Sequence, residues 1–198
     1  MRSDLEAMCH RSAPAALLVI GSALITSCAL TDEAGPGARR ALPTPASLSA
    51  DACAGLASRF TFPGLRITGA ALAPAGTFKQ DAVVESSPAH CVVTGRVNER
   101  RSPVDGADYA IGFEMRLPLA WNGRFFHQVN GGIDGVVQPA IGRLLGGAPR
   151  DSALNRGYAV ISSDAGHDGK QNPWFGLDPQ ARLDYGYNAV ATLTPMGD

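Results

Sequence analysis

Gly157-Tyr158-Ala159-Val160-Ile161-Ser162-Ser163-Asp164 is a short apolar run closed by turn-forming residues, and its reading decides the fold. A strand of this kind, apolar on both faces, belongs in a parallel sheet covered above and below. An earlier strand, Arg124 to Val129, is entered through Trp121-Asn122-Gly123 and left through Asn130-Gly131-Gly132. Upstream of both, Cys91 to Asn98 and Tyr109 to Leu117 are rich in β-branched and aromatic residues. Pro103, Asp105 and Gly106 lie between them, which predicts a hairpin. Val137 to Leu145, between the two later strands, is expected to form a short helix. Past the quoted run, Asp178-Pro179 supplies an N-cap and an N1 proline, and Leu183, Tyr187, Val190, Ala191 and Thr194 recur at helical spacing. Two antiparallel strands followed by strand, helix, strand, helix argue for an α/β fold in which a hairpin leads into a parallel sheet.

The chain has 198 residues, 45% hydrophobic and 18% charged, with a net charge of −1. A packed core is therefore within reach, and no strong field exists to hold nucleic acid. The 23 Gly and 14 Pro favour many tight turns over long exposed helices.

At the amino terminus, Ala13 to Ile25 is small and apolar and is preceded by Arg2, His10 and Arg11. Thirteen residues are too few for a bilayer span, which needs about 20. The pattern is that of a secretory signal peptide, with Asp4 and Glu6 spoiling its positive region and Met8 offering a cleaner start. It ends in Leu24-Ile25-Thr26-Ser27-Cys28, which resembles a bacterial lipobox, so residues 1–27 are expected to be removed and Cys28 lipidated. Ordinary signal-peptidase cleavage beside a chance cysteine is the alternative. The expected location is the bacterial cell envelope, held to the membrane by the lipid, or the exterior. Residues 28–50 carry Gly35, Pro36, Gly37, Pro43 and Pro45 and read as a semi-extended tether, leaving 51–198 as the folded part.

Cys9 leaves with the signal peptide, so Cys53 and Cys91 remain as one pair in an oxidising compartment. A disulfide between them is expected; two free thiols are the alternative. Neither has a second Cys or His at metal-finger spacing, and no metal site is expected. Asp164, His167 and Asp168 fall within five residues, yet a turn in which Ser163 and Asp164 bond the backbone accounts for them better than a metal ion or an Asp/His pair. His127 reads as a packing histidine within its strand, and Trp121 and Trp174 as aromatic cover for the sheet, with Trp174 keeping a lesser option as a substrate contact.

These residues carry a family resemblance. Trp121-Asn122-Gly123-Arg124-Phe125-Phe126, Asn130-Gly131-Gly132, Arg156-Gly157-Tyr158-Ala159-Val160 and Ser162-Ser163-Asp164-Ala165-Gly166-His167 together resemble the tannase and feruloyl esterase family of α/β-hydrolases. His90-Cys91-Val92-Val93-Thr94-Gly95 and Asp184-Tyr185-Gly186-Tyr187-Asn188-Ala189-Val190 match its opening and a later helix. The resemblance implies an exported carboxylic ester hydrolase acting on phenolic-acid esters, feruloyl or galloyl, with no organic cofactor. It also implies that any calcium site sits in a lid inserted later than this chain reaches. In that family the nucleophile serine lies in a Gly-Cys-Ser-x-Gly-Gly stretch after the helix beginning near Asp184, and no G-x-S-x-G elbow occurs here. The triad is thus expected beyond Asp198, and the chain reads as the amino-terminal half of the fold, inactive alone. One oxyanion donor normally comes from the loop after the third strand, which makes the Gly131 or Gly132 amide the candidate. A plain strand-ending turn is the alternative there. A non-enzymatic envelope lipoprotein or binding module derived from such an esterase is the competing function.

Overall fold

The computed structural model describes residues 48–80, 83–143 and 152–197. The signal peptide, the lipid site at Cys28, the tether before Leu48 and the last two residues of the expected 137–145 helix lie outside the described residues. In chain order the elements are α1 (Ala50–Ala54), α2 (Leu56–Arg59), β1 (Leu65–Ala73), β2 (Gly76–Gln80), β3 (Val83–Ser87), β4 (His90–Arg101), β5 (Asp108–Pro118), β6 (Phe125–Gln128), β7 (Ala159–Ser163), α3 (Pro179–Leu183) and α4 (Ala189–Leu193). Single 3₁₀ turns occupy Gly169–Gln171 and Trp174–Leu177, and a π turn over Asp184–Asn188 joins α3 to α4.

Five strands form one sheet in the order β1-β4-β5-β7-β6, while β2 and β3 pair separately. β4 and β5 form the expected antiparallel hairpin, with Val93 opposite Met115 and Gly95 opposite Phe113. β7 runs antiparallel to β5 and parallel to β6, so the sheet changes from antiparallel to parallel at β7. All five residues of β7 are buried. Ile161 joins the main core with Val93, Val97, Ile111, Phe113 and Met115, together with Ala189 and Leu193 of α4. Val160 points the other way, into a second cluster with Ala140, Ile141, Ala153 and Leu154. Cover on both faces is what an apolar parallel strand requires.

Cys53 and Cys91 form the expected disulfide, fully buried, tying α1 to the start of β4. Ser49 caps α1 by accepting from the Ala52 N–H. Asp178 caps α3 by accepting from the Ala181 N–H at 2.7 Å, with Pro179 in the first turn as expected.

Three sequence expectations are corrected. Residues 137–143 form no helix: Pro139 lies among them, and the N–H groups of Ala140 and Gly142 are captured by Glu114 Oε1 and Gln128 Oε1. The apolar set on the last helical segment faces outward, for Leu183, Tyr187 and Val190 are exposed while Ala181, Asp184, Ala189 and Leu193 are buried. Trp174 does not cover the sheet; it is 68% exposed. Trp121 is half-buried and closes the turn before β6, its Nε1 donating to the Arg124 carbonyl at 2.7 Å.

Candidate functional site

Parallel strands deliver their carboxyl ends to one edge of a sheet, so the loops following β6 and β7 meet there. The loop after β6 is Asn130-Gly131-Gly132, followed by Ile133, Asp134 and Gly135. Asn130 is anchored across to β7: its Nδ2 donates to Ser162 Oγ at 3.0 Å and to the Ser163 carbonyl at 2.8 Å. Gln128 Nε2 in turn donates to Asn130 Oδ1 and to the Pro139 carbonyl.

Gly131 and Gly132 are exposed, and a side chain added to either would meet no protein atom within 4 Å. Gly132 has φ +71°, a left-handed conformation that glycine adopts without steric cost. Among the described residues neither glycine N–H donates to a protein acceptor. Two backbone donors without a protein acceptor thus stand on an exposed loop at the carboxyl end of a parallel strand. That is an arrangement suited to receiving a developing negative charge.

The loop's carbonyls are held from behind. Tyr185 Oη donates to the Gly132 carbonyl at 3.0 Å, His167 Nε2 lies 2.9 Å from the Ile133 carbonyl, and Asn172 Nδ2 donates to the Asp134 carbonyl at 3.2 Å. The Gly135 N–H donates to the Asp164 carbonyl, joining this loop to the one after β7.

The loop after β7 is the structural turn expected from its sequence. Asp164 Oδ1 accepts from the Gly112 and Gly166 N–H groups, both at 2.9 Å, and Ser163 Oγ accepts from the Ala165 N–H. Burial pushes the Asp164 carboxyl up to about 6, against those backbone bonds. Asp168 caps the following 3₁₀ turn. Among the described residues no three His, Cys, Asp or Glu side chains converge to hold a metal ion. A cleft of about 520 Å³ opens beside this turn, lined by Arg96, Asp108, Val136, Asp164, Asp168 and Lys170.

His127 is a packing residue, as its strand position suggested. It is half-buried, edge-on to Phe125 and bonded through Nδ1 to the Thr194 hydroxyl, and burial lowers its pKa. The roles of His167, Asn172 and Tyr185 against the glycine loop have no local signature. Each acts through a single contact with a backbone carbonyl distant in sequence.

Sheet order, a hairpin entering a parallel pair, and a glycine loop whose N–H groups have no protein acceptor after the outer parallel strand define a partial α/β-hydrolase fold. A sequence model described as tannase and feruloyl esterase matches residues 91–198. The chain belongs to the tannase and feruloyl esterase family. It is 44% identical over 118 residues to a mono(2-hydroxyethyl) terephthalate hydrolase of Piscinibacter sakaiensis, covering 56% of this chain and 19% of that one. An uncharacterized esterase of Xanthomonas campestris is 36% identical over 162 residues, which is 79% of this chain and 25% of that one. The crystal structure of feruloyl esterase B from Aspergillus oryzae superposes with a TM-score of 0.57 at 19% identity, over 73% of this chain and 27% of that one, a likeness of fold. The chain therefore spans about a fifth to a quarter of the length of these relatives.

Proposed function

We propose that this chain is the amino-terminal part of an exported serine carboxylesterase acting on esters of phenolic acids, feruloyl or galloyl, and supplies one side of its oxyanion hole. The observation that carries the reading is the pair of free N–H groups on Gly131 and Gly132 at the end of a parallel strand. In ester hydrolysis the carbonyl oxygen gains charge as the nucleophile attacks, and fixed backbone donors stabilise that charge without reorganising. The nucleophile, its base and the orienting acid are assigned to polypeptide outside these 198 residues, since the chain contains no G-x-S-x-G elbow. Family membership supports the ester substrate class. Export is supported by the apolar Ala13 to Ile25 stretch and by the Cys53–Cys91 disulfide, which persists in an oxidising compartment.

A non-enzymatic envelope module is the second reading, favoured by the same missing elbow. The purified chain is expected to hydrolyse methyl ferulate, methyl gallate and p-nitrophenyl acetate no faster than buffer. Turnover abolished by a serine-directed inhibitor would overturn the assignment of the nucleophile to other polypeptide. Reading the coding DNA past Asp198 separates the two functions. An elbow serine downstream supports the esterase, and an uninterrupted absence supports the module.

A further inference from the structure

Resting on the reading of Gly131 and Gly132 as oxyanion donors, we propose that His167, Asn172 and Tyr185 are positioning residues that fix those two N–H groups in place before any substrate arrives. Glycine pairs are conformationally permissive, so a donor pair built on them needs an external hold. Here three successive carbonyls, those of Gly132, Ile133 and Asp134, are each taken by a side-chain donor. Asn130 anchors the other flank on β7. The two glycine N–H groups lie between these anchors.

The hydrogen-bond logic of the hold has one solution. A backbone carbonyl only accepts, so the Asn172 atom facing Asp134 is Nδ2, and the atom facing His167 at 2.8 Å is Oδ1. The Ile133 carbonyl also only accepts. His167 Nε2 therefore carries the proton and shares it between two acceptors at 2.9 and 2.8 Å. Its Nδ1 is buried and has no partner among the described residues, and Oδ1 of Asp134 is likewise buried and unpartnered. The ring is thus oriented by Nε2 alone and by stacking. Phe175 lies parallel to it with centroids 3.7 Å apart, and Tyr185 stands edge-on to both rings.

The three holding residues come from separate short segments: the turn after β7, the stretch between the two 3₁₀ turns, and the π turn. A π turn inside a helix is frequent at functional sites. In this one Tyr185 is carried on the outward side, where its hydroxyl reaches the Gly132 carbonyl.

The test uses the purified, ¹⁵N-labelled chain and benzoate, an aromatic carboxylate of the class that ester hydrolysis releases. In the wild type the Gly131 and Gly132 amide resonances shift on titration, while those of Ile111 and Val160 in the sheet do not. In Tyr185→Phe and His167→Ala the benzoate affinity falls about fivefold, the factor associated with one neutral hydrogen bond. In His167→Gln, whose amide can present an N–H in place of Nε2, it returns to within about twofold of the wild type. Long-range ¹H–¹⁵N spectra show a proton on His167 Nε2. A ring with no proton on Nε2, or equal benzoate affinity in the wild type, Tyr185→Phe and His167→Ala, overturns the positioning role while leaving the donors in place. Glycine amides that ignore benzoate in the wild type overturn the donor assignment itself. Tyr185→Phe removes only the hydroxyl of an exposed residue, so it reports even if His167→Ala does not fold.

Discussion

Asp164 binds two backbone N–H groups with one oxygen, yet its carboxyl is held near pH 6 because burial penalises the charge more than those bonds favour it. The folded chain keeps this proton to a higher pH than the unfolded chain, where an aspartate titrates near ~3.9. The stability it contributes is full below about pH 4 and is lost as pH rises through about 6. Asparagine retains the accepting oxygen and carries no charge. Thermal melts should therefore show wild-type stability declining between about pH 4 and 6, and Asp164→Asn flattening that decline by up to about 3 kcal/mol. Parallel profiles for the two chains would refute this. Asp178 runs the other way. Burial would raise its carboxyl, but hydrogen bonds from Arg100, Ser102 and the Ala181 N–H together bring it down to about 2. Its contribution is present above about pH 4 and is lost as pH falls toward 2.

At the level of elements, β4 owes its close packing to a residue with no side chain. A Cβ on Gly95 would sit 2.7 Å from the Phe113 ring and 2.9 Å from the Arg66 carbonyl, so a backbone strand as well as a ring would have to move. Gly95→Ala is expected to cost about 2 kcal/mol by overpacking, measured by denaturant titration. A loss under about 0.5 kcal/mol would mean that β1 slides freely on β4. The same sheet shows which elements were legible. β4, β5, β6 and β7 are marked by β-branched and aromatic runs, and α3 by its Asp-Pro cap. β1 escaped notice because Thr68-Gly69-Ala70-Ala71 has weak alternation, and its pairing comes from β4, which follows later in the chain. The outward turn of the last helical face has two causes. Its buried stripe contains Asp184, charged and 3.8 Å from Arg100, and small alanines that a hydrophobicity pattern passes over. The π turn then takes an extra residue per turn and carries the buried stripe from Asp184 to Ala189. At the candidate site, the glycine loop could be read from its composition and its place after a strand. The side chains behind it could not, since no local pattern foretells which distant carbonyl a buried His or Tyr will meet.

Across the whole molecule, the parallel half of the sheet has two strands, and among the described residues the outer edge of β6 has no strand partner. The antiparallel half is larger and is covalently fastened. Cross-linking residues 38 apart removes chain entropy from the unfolded state worth about 4 kcal/mol in the loop-closure treatment. Reduction of Cys53–Cys91 is expected to lower the unfolding free energy by about that amount in urea titrations with and without reductant. Superimposable curves would show that the native packing holds the two segments together unaided.

The bond also sets how the molecule bears load. A pull arriving from the amino-terminal side reaches Cys53 first, and the sulfur bridge hands it to Cys91 at the head of β4. Everything threaded between the two cysteines, from α2 through β1 and the β2–β3 hairpin, lies off the line of force. Tension therefore bypasses the weakly patterned edge strand and enters the sheet through its long hairpin. The protein can be tugged by its leading end without being unravelled from its margin.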